Sequence, residues 1–244
     1  MNSKSFLKLT GVYKKFGNKE VLKNINFEVQ PYEIFVLLGP NGAGKTTTLK
    51  IISGILEADK GEVYILGKKM SVLNTELKRY IGYLPDEPYI YSKLTGKEFL
   101  EFIISIYKKQ PINGMFEFFL SQFELEDAIH NPIETYSKGM KQKLLLMSIF
   151  LREPDLILLD EPLVGLDPKS INFFKKHILK LKSDGKAIIL STHLLELAEQ
   201  LATRIAIIYN GRILICGTKE ELSKSLDVYS GSLEDIYIKA IQIK

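Results

Sequence analysis

The sequence predicts an α/β fold: a mostly parallel sheet, an antiparallel β portion at the N-terminus, and a helical insert in mid-chain. Three observations carry this. EIFVLLG (33–39) is a near-continuous apolar run, as expected of a strand buried on both faces, and a glycine-rich turn and a helix-periodic segment follow it. Strand-like and helix-like segments alternate again after Pro154. Between these stretches, from about residue 88 to 150, the chain is densely apolar and aromatic without strand patterning.

The elements follow in order. FLKLTGVYKKF and VLKNINFEV alternate apolar and polar residues over short runs bounded by turn formers, which predicts strands. EIFVLLG is the buried strand, KTTTLKIISGIL the helix after the turn, and GEVYILGK a further short strand. Thr95 and Glu98 have the spacing of a capping box and lead into FLEFIISIY, and MFEFFLSQF is a second helix of the insert. LILLD is a strand, and a helix follows with Ile171, Phe174, Ile178 and Leu181 on one stripe. Then come strand AIILS, helix LLELAEQLA and a hairpin across Asn210-Gly211, a dipeptide suited to tight hairpin turns. No internal repeat or low-complexity linker interrupts the chain. We expect one domain over 1–244: a core of about 1–87 and 151–215, a helical portion of about 88–150, and a short helical end of about 216–244.

Composition bounds the function classes. With 45% hydrophobic and 25% charged residues, the chain reads as an ordinary soluble domain. A net charge of +4 and short basic runs such as Lys175-Lys176 read as solvated helix faces, so no nucleic-acid partner is expected. The lone cysteine, Cys216, sits in the apolar run ILIC and reads as a buried thiol in a reducing compartment. No apolar stretch approaches the ~18–20 residues that span a bilayer, and MNSKSFLKL lacks a signal core. A cytosolic chain is expected, with any membrane association made through a partner.

Gly39-Pro40-Asn41-Gly42-Ala43-Gly44-Lys45-Thr46 fits the phosphate-binding P-loop, placed as that loop requires between a buried strand and a helix. Its glycines let backbone N–H groups wrap phosphates, Lys45 reaches the terminal phosphates, and the Thr46 hydroxyl ligates magnesium. LILLDEP supplies the complementary half. Asp160, at the end of a buried strand, is suited to hold magnesium, and Glu161 to orient or deprotonate an attacking water. A GTPase needs Asn-Lys-x-Asp to read its base. The chain has neither that motif nor any Asp-x-x-Gly. A second anion site is suggested by YSKGMKQ (136–142), where a serine and a glycine open a helix beside lysines.

The order P-loop, YSKGMKQK, LILLDEP, GLD, STH resembles the ATP-binding cassette family over almost the whole chain. The resemblance implies ATP and Mg2+ as ligands and ATP hydrolysis as the activity. Gly39 to Thr47 match the family's phosphate cradle. Phe16 matches its adenine-stacking aromatic, the alternative being ordinary strand packing. Ser137 and Gly139 match its signature loop, Gly165-Leu166-Asp167 the loop that runs between subunits, and His193 its γ-phosphate switch. Asp86 stands where the family usually has a magnesium-sensing glutamine. Lys138 and Met140 replace the commonest glycine and glutamine, and Leu163 a common threonine. Two family cassettes pair head to tail, so the signature loop of one faces the nucleotide of the other; the second anion site would serve a partner's ATP.

The signature SKGMKQ and the ending SLEDIYIKA look like cassettes of bacterial exporters of drugs, peptides or lipids, and no large C-terminal regulatory portion of the importer kind is evident. The expected role is the motor subunit of an exporter, at the cytoplasmic face of the membrane, with a separately encoded permease and a second cassette. An importer cassette, a soluble cassette of translation or DNA repair, and a regulator without turnover are the rivals. The soluble type usually has two cassettes or a long coiled-coil insert, and Glu161 argues against the regulator. Pro88-Tyr89-Ile90-Tyr91 and the helix beginning near Gly96 either dock the permease or cap the core of the insert.

Overall fold

The computed structural model describes residues 5–87, 89–107, 114–228 and 231–242. The chain opens with an antiparallel pair, β1 (Leu7–Phe16) and β2 (Lys19–Val29), joined at Gly17. β3 (Ile34–Leu38) and α1 (Lys45–Ile52) follow; β4 (Lys60–Ile65) returns antiparallel to β1, and β5 (Lys68–Lys69) pairs with β4. α2 (Thr75–Lys78) leads into β6 (Ile81–Leu84). Helices α3 (Gly96–Tyr107), α4 (Met115–Phe123) and α5 (Lys138–Phe150) come next, with a 3-10 turn at Ile133–Thr135. Among the described residues this stretch holds no strand, only an isolated bridge between Thr95 and Pro132. The Thr95–Glu98 capping box forms in both directions, at 2.8 and 3.2 Å.

The remainder alternates: β7 (Leu156–Asp160), α6 (Pro168–Ser183), β8 (Ala187–Thr192), α7 (Leu195–Leu201), β9 (Arg204–Tyr209), β10 (Arg212–Gly217), α8 (Lys219–Ser225) and α9 (Leu233–Gln242). The larger sheet runs β10-β9-β3-β8-β7-β6 and is parallel except for β10. The smaller sheet, β2-β1-β4-β5, is antiparallel. Asn210 and Gly211 both take positive φ, 47° and 77°, as a two-residue hairpin turn requires.

The near-continuous apolar strands are explained by packing on both faces. Along β3, Ile34, Val36 and Leu38 join one core cluster, and Phe35 and Leu37 the other. β7 and β8 divide their residues the same way. The first cluster also takes Phe99, Leu100, Phe119 and Phe123 from the helical insert. The insert therefore has no separate core; its rings pack on the face of the parallel sheet. Each such side chain contributes about 1.5–3 kcal/mol of transfer free energy.

Two sequence expectations change. Cys216 is half-buried rather than buried, because β10 is an edge strand with incomplete cover; its Sγ lies 3.5 Å from Nη2 of Arg204. On α6, Phe174, Ile178 and Leu181 are buried as expected, but Ile171 is only half-buried, and His177 completes the buried stripe.

His177 sits among rings, 4.4 Å from Phe150, 5.1 Å from Phe119 and 5.6 Å from Phe173 between centroids. Its Nε2 is buried without a hydrogen-bond partner among the described residues. Burial, reinforced by Lys180 against the opposing pull of Asp184, holds its pKa down to about 4. The folded state thus binds fewer protons than the unfolded chain between the ordinary histidine value of 6.5 and about 4. Stability from this group is complete above pH 6.5 and is lost as pH falls toward 4. The loss amounts to about 3 kcal/mol over that window. Urea midpoints of His177→Met are expected to fall less between pH 7 and 4.5 than those of the wild type. Parallel declines would mean that His177 does not carry the acid sensitivity.

Candidate nucleotide site

The phosphate loop is built where β3 leaves the sheet. Gly39 must be glycine because a Cβ there would stand 2.2 Å from the Ile208 carbonyl oxygen on β9. Gly44 turns the chain into α1 at φ 109°, and a Cβ would meet Leu22 at 2.6 Å. The β9–β10 turn straps the loop down: Gly211 donates to the Ala43 carbonyl at 3.0 Å, and Lys23 donates to the Gly211 carbonyl at 2.7 Å. The N–H groups of the first turn of α1 thus point out of a loop braced from below.

Lys45 is nearly buried. Its Nζ donates to the carbonyls of Gly39 (2.7 Å) and Pro40 (3.2 Å) and lies 3.3 Å from Glu161 Oε1. Asp160 ends β7, two strands from β3, and is fully buried. Ser191 Oγ on β8 donates to its Oδ1, and among the described residues its Oδ2 has no hydrogen-bond partner. Burial pushes the Asp160 carboxyl up, and the bond from Ser191 opposes this.

Glu161 takes φ 46°, an unusual conformation for a residue with a side chain. Its N–H is anchored to the Ser191 carbonyl at 3.1 Å. The turn swings its carboxylate across the strand ends, between Lys45 and His193, whose Nδ1 lies 3.1 Å away. His193 follows β8 with about half of its side chain exposed.

Beside the loop lies a cavity of about 470 Å³, whose lining includes Phe16, Lys19, Asn41, Lys45, Asp86 and Glu161. Phe16, paired at the end of β1, is 51% exposed, and its ring stands on the cavity wall. Thr46 and Asp86 line this cavity and also a larger one, of about 690 Å³, that runs toward the helical insert. Asp86 is therefore at the junction of the two.

Ser137 and Gly139 lie elsewhere and do not line the loop cavity. Ser137 is exposed and caps α5, its Oγ accepting from the Met140 N–H at 3.2 Å. The first intrahelical bond runs from Lys141 N–H to the Ser137 carbonyl, so the Lys138 and Gly139 N–H groups precede it. A Cβ on Gly139 would stand 2.2 Å from the Gly165 carbonyl oxygen, so this helix start rests on the loop after Glu161.

Sequence reasoning missed how that contact is fastened. Lys143 Nζ is 2.7 Å from Asp167, and Gln142 Nε2 donates to the Pro162 carbonyl at 3.3 Å. Asp167 in turn caps α6 through Ser170. Burial works against its charge, but the bonds from Lys143 and Ser170 outweigh it and hold the carboxyl well below the usual range. The wide separation of residues 143 and 167 gave no signal.

A glycine-lined loop around a buried lysine, facing an aspartate and glutamate at a strand end of the same parallel sheet, defines a P-loop nucleoside triphosphatase. The ABC transporter family model matches residues 22–164, and the chain belongs to that family. It is 34% identical over 233 residues to the ABC-type transporter ATP-binding protein EcsA of Bacillus subtilis (strain 168), a match covering 95% of this chain and 93% of that protein. A solved ATP-binding subunit of an ABC transporter aligns with a TM-score of 0.90 at 32% identity, over 97% of this chain and 100% of the other. The cassette MJ0796, in a dimeric post-hydrolysis state with ADP and Pi, aligns with a TM-score of 0.76 at 26% identity, over 87% of this chain and 98% of that one. The chain is an ATP-binding cassette and an ATPase.

Proposed function

We propose that the chain is the motor subunit of a membrane exporter, working as a head-to-tail pair with a second copy or a homologous cassette. The observation that carries the pairing is the separation of Ser137 and Gly139 from the chain's own phosphate cavity. A helix start whose first N–H groups precede the intrahelical bonds suits an anion, and in a paired arrangement that anion is the partner's nucleotide. In this reading Phe16 stacks on adenine, Gly39 to Thr47 cradle the phosphates, Lys45 meets the terminal phosphates, Glu161 accepts the proton of the attacking water, and His193 contacts the γ-phosphate. Thr46 and Asp160 hold Mg2+, with Asp86 beside them; the buried Asp160 Oδ2, unpartnered among the described residues, fits a hydrated cation. The ion supplies charge neutralisation on the phosphates when bound.

The signature SKGMKQ and the ending SLEDIYIKA support the exporter class. Among the described residues no helix is long and apolar enough to cross a membrane, which fits a separately encoded permease that holds the chain at the cytoplasmic face. The larger cavity is the docking place this reading assigns. Tyr89 and Tyr91, 89% and 62% exposed, stand on its wall, which supports docking over a cap on the core, whereas Ile90 packs inward. Pro88 lies outside the described residues. Tyr91 meets Phe102 of α3 edge-on at 5.7 Å, extending the apolar surface along the helix.

A search for a multi-spanning protein encoded next to the chain, then co-expression of the two and purification from detergent-solubilised membranes, tests the assignment. Tyr89→Asp is expected to keep the isolated domain's melting temperature and basal ATPase while losing the permease and its stimulation. An isolated domain that melts or aggregates on this change would return Tyr89 to the core, and retained coupling would exclude the groove as the docking place.

A further inference from the structure

Tyr83 has no part in the roles above. It lies on β6 directly opposite Leu158 of β7, and both residues belong to the same core face. Asp160 is two residues further along β7, so its side chain points to that face too, roughly 7 Å up the strand. The Tyr83 hydroxyl is buried and has no hydrogen-bond partner among the described residues, and the same holds for Asp160 Oδ2. One atom is a donor and the other an acceptor. A phenol with its ordinary pKa of about 10 is an O–H donor at neutral pH. Asp86 carries no N–H, unlike the glutamine usual at its position, and does not supply this donor.

We propose that Tyr83 is a positioning residue for the divalent cation held by Asp160: its O–H donates to a water bound at Asp160 Oδ2, and that link fixes the carboxylate's direction. A donor behind a ligating carboxylate sets its orientation and its affinity for the ion. Tyr83 also lines the larger cavity, so a single ring joins the proposed docking groove to the metal. This inference rests on the magnesium reading given under Proposed function.

The test is the equilibrium affinity of a nonhydrolysable ATP analogue with and without Mg2+, for wild type and Tyr83→Phe, with melting temperatures recorded for both. Phenylalanine keeps the ring and removes only the hydroxyl. The expected result is metal-free affinity unchanged within about twofold, and an affinity gain on adding Mg2+ that is smaller by about tenfold in the variant. A variant with the full magnesium gain overturns the proposal and leaves the magnesium reading standing. Equal weakening with and without metal also overturns it, since that marks a distorted site. A wild-type chain that gains nothing from Mg2+ overturns both.

Discussion

Glu161→Gln is expected to bind ATP as the wild type does and to turn it over two to four orders of magnitude more slowly, a loss of about that size being typical for a positioned base. The substitution nearly keeps the shape of the side chain and removes its negative charge and its ability to accept a proton. The residue's place is set by the backbone: the left-handed turn after β7 and the bond to the Ser191 carbonyl hold it whatever the charge of its tip. The carboxylate is 3.3 Å from the Lys45 ammonium and 3.1 Å from His193, so one oxygen touches both the lysine of the glycine-rich loop and the histidine at the next strand end. Because closure is then not undone by hydrolysis, the variant should accumulate as an ATP-bound dimer. Single-turnover hydrolysis and gel filtration with ATP measure the two effects. Turnover at the normal rate would exclude Glu161 as the base.

The second large effect concerns a site shared between two chains. Lys45→Ala removes the buried ammonium of the phosphate loop. Ser137→Arg fills the space in front of the exposed start of α5 without disturbing the loop cavity, which Ser137 does not line. Each variant alone is expected to be inactive, since both sites of its dimer are damaged. In a mixed dimer the lesions fall on one site, where the Lys45→Ala cradle meets the Ser137→Arg loop, and the other site is intact. Mixing the two inactive preparations should therefore restore part of the ATPase activity. A chain carrying both substitutions, paired with wild type, should stay inactive, because each site then has one lesion. Were both residues to serve the same chain's nucleotide, the two mixtures would behave the opposite way. Cross-linking to verify mixed dimers, and a wild-type mixture with Lys45→Ala to show that one intact site suffices, complete the measurement.

The chemistry of the nucleotide loop was legible because its determinants are local. Gly39 to Thr46 occupy eight consecutive residues, and the apolar run before them and the periodic helix after them are visible at short range. The hairpin at Asn210-Gly211 and the cap at Thr95 are local in the same sense. What could not be read depends on neighbours distant in sequence. Whether Phe16 packs in a strand or stands on a cavity wall is decided by how β1 ends beside the loop. Lys143 and Asp167 meet only because α5 lies on the loop that precedes α6. His177 joins a stripe whose other side is supplied by α4 and α5, so its period was correct for burial while its residue type argued against it. Tyr83 and Asp160 share a face only through the pairing of β6 with β7.

The order of strands in the larger sheet also bears on how the chain becomes active during synthesis. β3, which carries the phosphate loop, is made early, but its two neighbours are β8 and β9. The ribosome must add more than a hundred further residues before either exists. The loop's glycine rests on Ile208, and its brace comes from Gly211, near the end of the chain. A nascent chain stalled after β7 already contains every residue of the phosphate-loop motif and of the acidic pair, yet has no sheet to hold them apart at the right distance. Nucleotide binding is thus expected only once β8 and β9 have been made, and a chain ending after α6 should fail to retain a nonhydrolysable ATP analogue in an equilibrium binding measurement.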